Sequence, residues 1–145
     1  MSKKSFLIIN GPNLNLLGRR ENDVYGNKTL EQIKSYTEKK VENLDISVDW
    51  FQSNIEGEIV SRINQIQIQG YDALIINPGA YGHTSVAILD AMRTLGTPII
   101  EVHLTNTLRR ESYRQVKLTA KSATIIMEGL GTDAYWMAIF SQAYR

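Results

Sequence analysis

The only two histidines of this chain sit just beyond, or at the end of, short apolar runs that open into polar loops. Ala73-Leu-Ile-Ile-Asn77 runs into Pro78-Gly-Ala-Tyr-Gly-His83-Thr-Ser85, and Pro98-Ile-Ile-Glu101-Val-His103 runs into Leu104-Thr105-Asn106. A third run, Ser5-Phe-Leu-Ile-Ile-Asn10, opens into Gly11-Pro-Asn13-Leu-Asn15-Leu-Leu-Gly18-Arg19-Arg20 and on to Tyr25-Gly26. Short, continuously apolar strands are those that helices cover on both faces of a sheet. In an open parallel sheet, the loops leaving the carboxyl ends of the strands gather along one edge. Amide, imidazole, guanidinium and phenol groups converge there, an acid–base site suited to a small polar molecule.

Strand and helix patterns alternate along the chain without repeat, low-complexity tract or linker, and predict one domain over residues 1–145. Strands are expected over 5–10, 46–52, 73–77, 98–103 and 123–127. Helices are expected over 30–44, 56–69, 85–95 and 133–144, with a short helical piece over 110–116. Thr29 is placed to cap the first helix, Gly70 to end the second and Gly96 to stop the third. A right-handed βαβ succession of five strands predicts a flavodoxin-like α/β three-layer sandwich with a parallel sheet of order 2-1-3-4-5. Its switch point falls between strands one and three, between the first loop and the Asn77–His83 loop.

Composition narrows the class. Apolar residues make up 43% of the chain, enough for a packed core. A net charge of +1 gives no large field to attract nucleic acid or an anionic membrane. With no cysteine, disulfide scaffolds and thiolate metal sites are excluded. Two histidines without a close carboxylate cluster also fall short of metal-ligand spacing. The opening Met1-Ser-Lys-Lys-Ser5 leads into only four apolar residues, Phe6 to Ile9. That is too short for a signal peptide or a membrane span, so a soluble, cytoplasmic protein is expected.

Individual residues support bland and functional readings side by side. The loop from Gly11 to Gly26 is sixteen residues long without obvious secondary structure, a length usually functional or disordered. Within it Tyr25 follows Arg20 by five residues and Arg19 by six. A guanidinium beside a phenol favours phenolate, and about 4 kcal/mol of such stabilisation makes a base usable at neutral pH. Alone, a Tyr near Arg is more often simple packing. Glu101 and His103 lie two apart on one strand and so share a face, where the carboxylate orients the imidazole as a general acid. Many structural His–Glu pairs have the same spacing. His83 is expected at the start of the third helix, and Asp90, seven residues on, falls on the same helical face. Asn77 is equally a turn initiator before Pro78-Gly79. Arg109, Arg110 and Arg114 read as a solvated face from which one could turn inward toward an anion.

Four motifs in order carry a resemblance. They are Gly11-Pro-Asn-Leu-Asn-Leu-Leu-Gly-Arg-Arg-Glu with Tyr25-Gly, Phe51-Gln-Ser-Asn with Glu56-Gly-Glu, Asn77-Pro-Gly-Ala-Tyr-Gly-His-Thr-Ser, and Glu101-Val-His-Leu-Thr-Asn. Together they closely resemble type II 3-dehydroquinate dehydratase, over about Phe6 to Tyr135. The resemblance implies a flavodoxin-like fold, a dodecamer built from trimers, and dehydration of 3-dehydroquinate to 3-dehydroshikimate without metal, cofactor or Schiff base. It implies anti elimination through an enolate. By the same resemblance Tyr25 matches the base and Arg20 the arginine that keeps it anionic. Asn13 matches the residue holding a water at the enolate, and His103 the leaving-group acid supported by Glu101. Asn77, His83 and Arg114 match residues binding substrate hydroxyls or carboxylate. Leu104 and Thr105 match the backbone donors to the carboxylate, and Asp90 the carboxylate reaching a neighbouring subunit's site. The first loop is then a lid over the substrate.

The chain departs from the family pattern at Gln115-Val-Lys117-Leu-Thr119-Ala120, Ala134, Asn22 and Gly82. The changed segment after Arg114 also admits a homologue with another hydroxy-acid substrate. A non-catalytic flavodoxin-like module is the rival class. It wants a hydroxyl-rich phosphate loop or paired carboxylates after the first strand, where this chain has Asn10-Gly-Pro-Asn-Leu-Asn-Leu.

Overall fold

A computed structural model describes residues 3–19, 23 and 26–145. Five strands, β1 (Lys4–Asn10), β2 (Ile46–Gln52), β3 (Ala73–Asn77), β4 (Ile99–His103) and β5 (Ile125–Glu128), form one parallel sheet of order β2-β1-β3-β4-β5. This is the expected flavodoxin-like order. β1 and β3 are central, and the register pairs Asn10 with Asn77, so both strands end level at the same edge.

Alternate residues of each central strand feed opposite core layers. Phe6, Ile8, Ile75, Ile100 and Val102 face helices α1 (Leu30–Lys40) and α6 (Ala134–Ala143) through Ile33, Ala138 and Ile139. Leu7, Ile9, Leu74, Ile76 and Ile99 face α2 (Glu56–Asn64), α3 (Ile66–Gln69) and α5 (Val86–Arg93) through Ile59, Ile63, Ile66, Ile88 and Met92. That is the doubly covered sheet the apolar runs require. The edge strand β5 departs from it, with Ile126 44% exposed, because only one neighbour and one layer cover it.

Boundaries moved where local chemistry outweighs periodicity. The helix expected over 30–44 stops at Lys40, with Val41 as its cap; Thr29 and Gln32 form the capping box at its start. The helix expected over 56–69 divides at Gln65 into α2 and α3, and Gly70 ends α3 at φ 73°. A separate turn of helix, α4 (Tyr81–Thr84), precedes α5 because Ser85 adopts an extended backbone, φ −91° and ψ 100°, and caps α5 instead. The piece expected over 110–116 is instead two 3-10 turns, Thr107–Arg109 and Ser112–Gln115. The loop after β1 is not wholly irregular either. Leu14–Leu16 form a 3-10 turn, and Leu14 and Leu17 enter the core, pinning its first half to the sheet.

Candidate active site

The carboxyl ends of β1, β3 and β4 enclose a cavity of about 130 Å³, small against the roughly 300–1,000 Å³ of sites for drug-sized ligands. Pro12, Asn13 and Leu14 line it from the loop after β1, and Asn77, Gly79, Ala80 and His83 from the β3 side. His103, Leu104, Thr105 and Thr107 line it from β4 and the loop beyond, with Arg110 and Arg114 on the wall.

Close backbone approach assembles the first two loops. The Gly11 N–H donates to the Asn77 carbonyl at 2.8 Å, and a Cβ on Gly11 would stand 2.3 Å from the Pro78 oxygen. Only glycine lets these loops meet. Asn13 is the one non-glycine residue with positive φ (66°) among those described, a conformation asparagine tolerates better than most. Its N–H donates to Asn54 Oδ1 at 2.9 Å, which the Gln52 amide also reaches at 3.2 Å, while Tyr81 donates to the Asn54 carbonyl at 2.8 Å. Asn54 thus ties the β1, β2 and β3 loops together.

Asn77 is buried at the floor. Its Oδ1 accepts from the Gly79 N–H at 3.2 Å, and its Nδ2 donates to the Tyr135 hydroxyl at 3.1 Å. Tyr135 in turn donates to Asn10 Oδ1. The backbone N–H of Gly79 can only donate, so it sets the direction of the whole chain: the Asn77 amide cannot flip without facing donor to donor. Burial holds the Tyr135 phenol well above its ordinary range, so it remains a neutral donor.

Glu101 and His103 project from one face of β4, as their spacing predicts. His103 Nε2 lies 2.8 Å from Glu101 Oε2, with both side chains nearly buried. That leaves the other ring nitrogen for a ligand. The second carboxylate oxygen, Oε1, accepts from the Thr119 hydroxyl. His83 stacks over His103, with ring centroids 6.1 Å apart at 20°, and its Nδ1 meets the Val116 carbonyl at 2.7 Å. Burial pushes the His83 imidazole below its ordinary value against the pull of the Val116 carbonyl, and the nearby His103, Arg114 and Lys117 charges add to the depression.

Beyond β4, the carbonyls of His103 and Leu104 accept from Gly129 and Gly131 at 3.2 and 2.9 Å. Among the described residues, the N–H groups of Leu104 and Thr105 donate to no other backbone carbonyl. Of the three arginines, Arg110 and Arg114 reach the wall and Arg109 does not. Glu111 lies 3.1 Å from Arg114 and 3.6 Å from Arg110. The Tyr113 hydroxyl, then its own backbone and Arg114, hold the Glu111 carboxyl down to about 2, so it stays ionised beside them. Two imidazoles and two guanidiniums line the cavity, with Glu111 beside the guanidiniums and Glu101 hydrogen-bonded behind His103, a lining rich in donors for a polar ligand.

Asp90 does not join them. It is exposed and lines no part of the cavity, because the extended Ser85 breaks the helix that was to align it with His83. Tyr25 and Arg20 lie outside the described residues. The sequence assigns no role to Asn54, Tyr135, Asn10 or Thr119, and does not single out Arg110 from Arg109 and Arg114. A polar residue ending an apolar strand was the available signal for Asn10, the same signal that drew attention to Asn77.

A family model described as dehydroquinase class II matches residues 4–143. A 3-dehydroquinate dehydratase of Clostridium botulinum (strain Loch Maree / Type A3) is 50% identical over 135 residues, covering 93% of this chain and 91% of that protein. One from Prochlorococcus marinus is 49% identical over 134 residues, covering 92% of this chain and 89% of that protein. The crystal structure of a type II dehydroquinase from Butyrivibrio crossotus DSM 2876 superposes with a TM-score of 0.95 at 38% identity, covering 98% of this chain and 99% of that one.

Proposed function

Since the chain belongs to the class II dehydroquinase family, we propose that it is a hydro-lyase that dehydrates 3-dehydroquinate to 3-dehydroshikimate, a step of the shikimate pathway. The observation that carries the reading is His103, backed by Glu101, in a small donor-rich cavity beside Asn77, His83 and Asn13.

The reaction removes a proton from the carbon between a ketone and a hydroxyl-bearing carbon. It passes through an enolate and expels the hydroxyl as water from the opposite face. Tyr25, kept anionic by Arg20, takes the proton. Asn13 holds a water that donates to the enolate oxygen. The enolate electrons then form the carbon–carbon double bond as the C–O bond breaks. His103 gives the departing hydroxyl its proton, and Glu101 holds the imidazole in line. The substrate carboxylate is met by the Leu104 and Thr105 N–H groups, and its hydroxyls and carboxylate by Asn77, His83 and Arg114. Closure of the first loop brings Tyr25 and Arg20 in and excludes water. The working form in this reading is a cytoplasmic dodecamer of trimers, in which Asp90 completes a neighbour's site.

The test is direct turnover. Purified protein added to 3-dehydroquinate is expected to raise the ultraviolet absorbance of the conjugated enone, while Tyr25→Phe and His103→Ala stay near baseline with the fold retained. A folded wild type that produces no absorbance overturns the reading. Near-normal rates in either variant overturn that residue's role.

A further inference from the structure

We propose that Thr119 is a positioning residue for this reaction: through Glu101 it fixes the imidazole of His103. The inference rests on the dehydratase reading and concerns a segment, Gln115–Ala120, that the reading leaves without a role. Glu101 is 1% exposed, and a carboxylate that deep is stable only when its oxygens are hydrogen-bonded. One oxygen faces His103 Nε2 and the other takes the Thr119 hydroxyl. A single contact would leave the carboxylate free to rotate about its terminal bond. Two contacts, on opposite oxygens, lock the plane in which the imidazole must lie.

The fold brings Thr119 there across 18 residues of sequence. Thr119 is fully buried and opens the 3-10 turn Thr119–Ser122, and the preceding Leu118 N–H donates to the Gly82 carbonyl at 3.0 Å. Gly82 makes room for this arrangement. A Cβ there would stand 2.9 Å from Pro78 Cγ and 3.4 Å from both His103 Cε1 and Thr119 Oγ1. The turn carrying Thr119 is thus clamped to the element carrying His83, with the catalytic imidazole between them.

The experiment compares Thr119→Val, which keeps the shape and deletes the donor, with Thr119→Ser, which keeps the donor. Thr119→Val is expected to lower kcat by about tenfold, part of the roughly 10²–10⁴ that a positioned acid contributes. KM is expected to stay within about twofold, because no group touching the substrate is removed. Thr119→Ser is expected to restore kcat. In a Glu101→Gln background, Thr119→Val is expected to add little further loss. A readout without substrate separates this inference from the dehydratase reading. With two histidines in the chain, the His103 ring N–H resonance can be assigned by comparison with a His83 variant. Its protection from solvent exchange is expected to fall in Thr119→Val and return in Thr119→Ser. Unchanged kcat and unchanged protection in a folded Thr119→Val overturn the proposal. An inactive wild type with the protection pattern intact overturns the dehydratase reading alone.

Discussion

His83 sets part of the charge balance at the cavity, and its environment has a consequence for stability. Burial first, then the neighbouring positive groups, hold its imidazole below the ordinary 6.5, and the Val116 carbonyl offsets this only in part. The folded protein therefore takes up this proton less readily than the unfolded chain. The stability concerned is fully present above the unfolded value of 6.5 and is lost as pH falls through the lower folded value. The thermal midpoint of the wild type is expected to fall between about pH 7.5 and about pH 5.5, and that of His83→Gln to fall less. Equal slopes would show that His83 is not the source. At this scale the sequence announced candidates without sorting them. Glu101 and His103 were legible as a pair because strand geometry alone puts residues two apart on one face. Which of Arg109, Arg110 and Arg114 turns inward was not, because that depends on two 3-10 turns whose direction no short-range pattern encodes.

Elements were legible in number, type and order, and less so at their ends. β1 and β3 carry unbroken apolar runs that only a doubly covered strand can bury, and both begin and end close to where their residues predict. The third helix is the instructive case. Periodicity starts it at Ser85, and there the Ser85 hydroxyl caps it by accepting from the Ile88 N–H at 2.9 Å, but His83, expected at its start, sits on the separate turn α4. A capping serine takes an extended backbone, which closes one helix and starts another. Ser85→Ala is expected to lower unfolding stability by about 1 kcal/mol in urea titration, since a buried cap is lost. Because α4 carries His83, some loss of substrate affinity is expected alongside. No change in either measurement would mean that α5 needs no cap. The Leu14–Leu16 turn was missed for the opposite reason. Two leucines three apart, Leu14 and Leu17, look like loop residues until the core accepts both.

The whole molecule places three loops from different parts of the chain around one cavity and leaves Asp90 outside it. In the dodecamer reading, Asp90 serves a neighbouring copy. An Asp90→Ala variant is then expected to keep its assembly, measured by light scattering, and lose activity. A variant held monomeric is expected to lose activity although folded. Full activity in a monomer would rule out the shared site. By itself the sequence determined the elements and their succession along the chain, the two core layers and the edge at which chemistry gathers, while strand pairing decided the order. Those follow from local periodicity, strand length and the handedness of βαβ connections, all of which act over a few dozen residues. Only the tertiary structure decided that Asn54 braces Asn13, that Tyr135 links Asn77 to Asn10, and that Thr119 holds Glu101. Each of these is a hydrogen bond between residues far apart in sequence. Its partner is chosen by whichever donor the packing brings within about 3 Å of an unsatisfied acceptor.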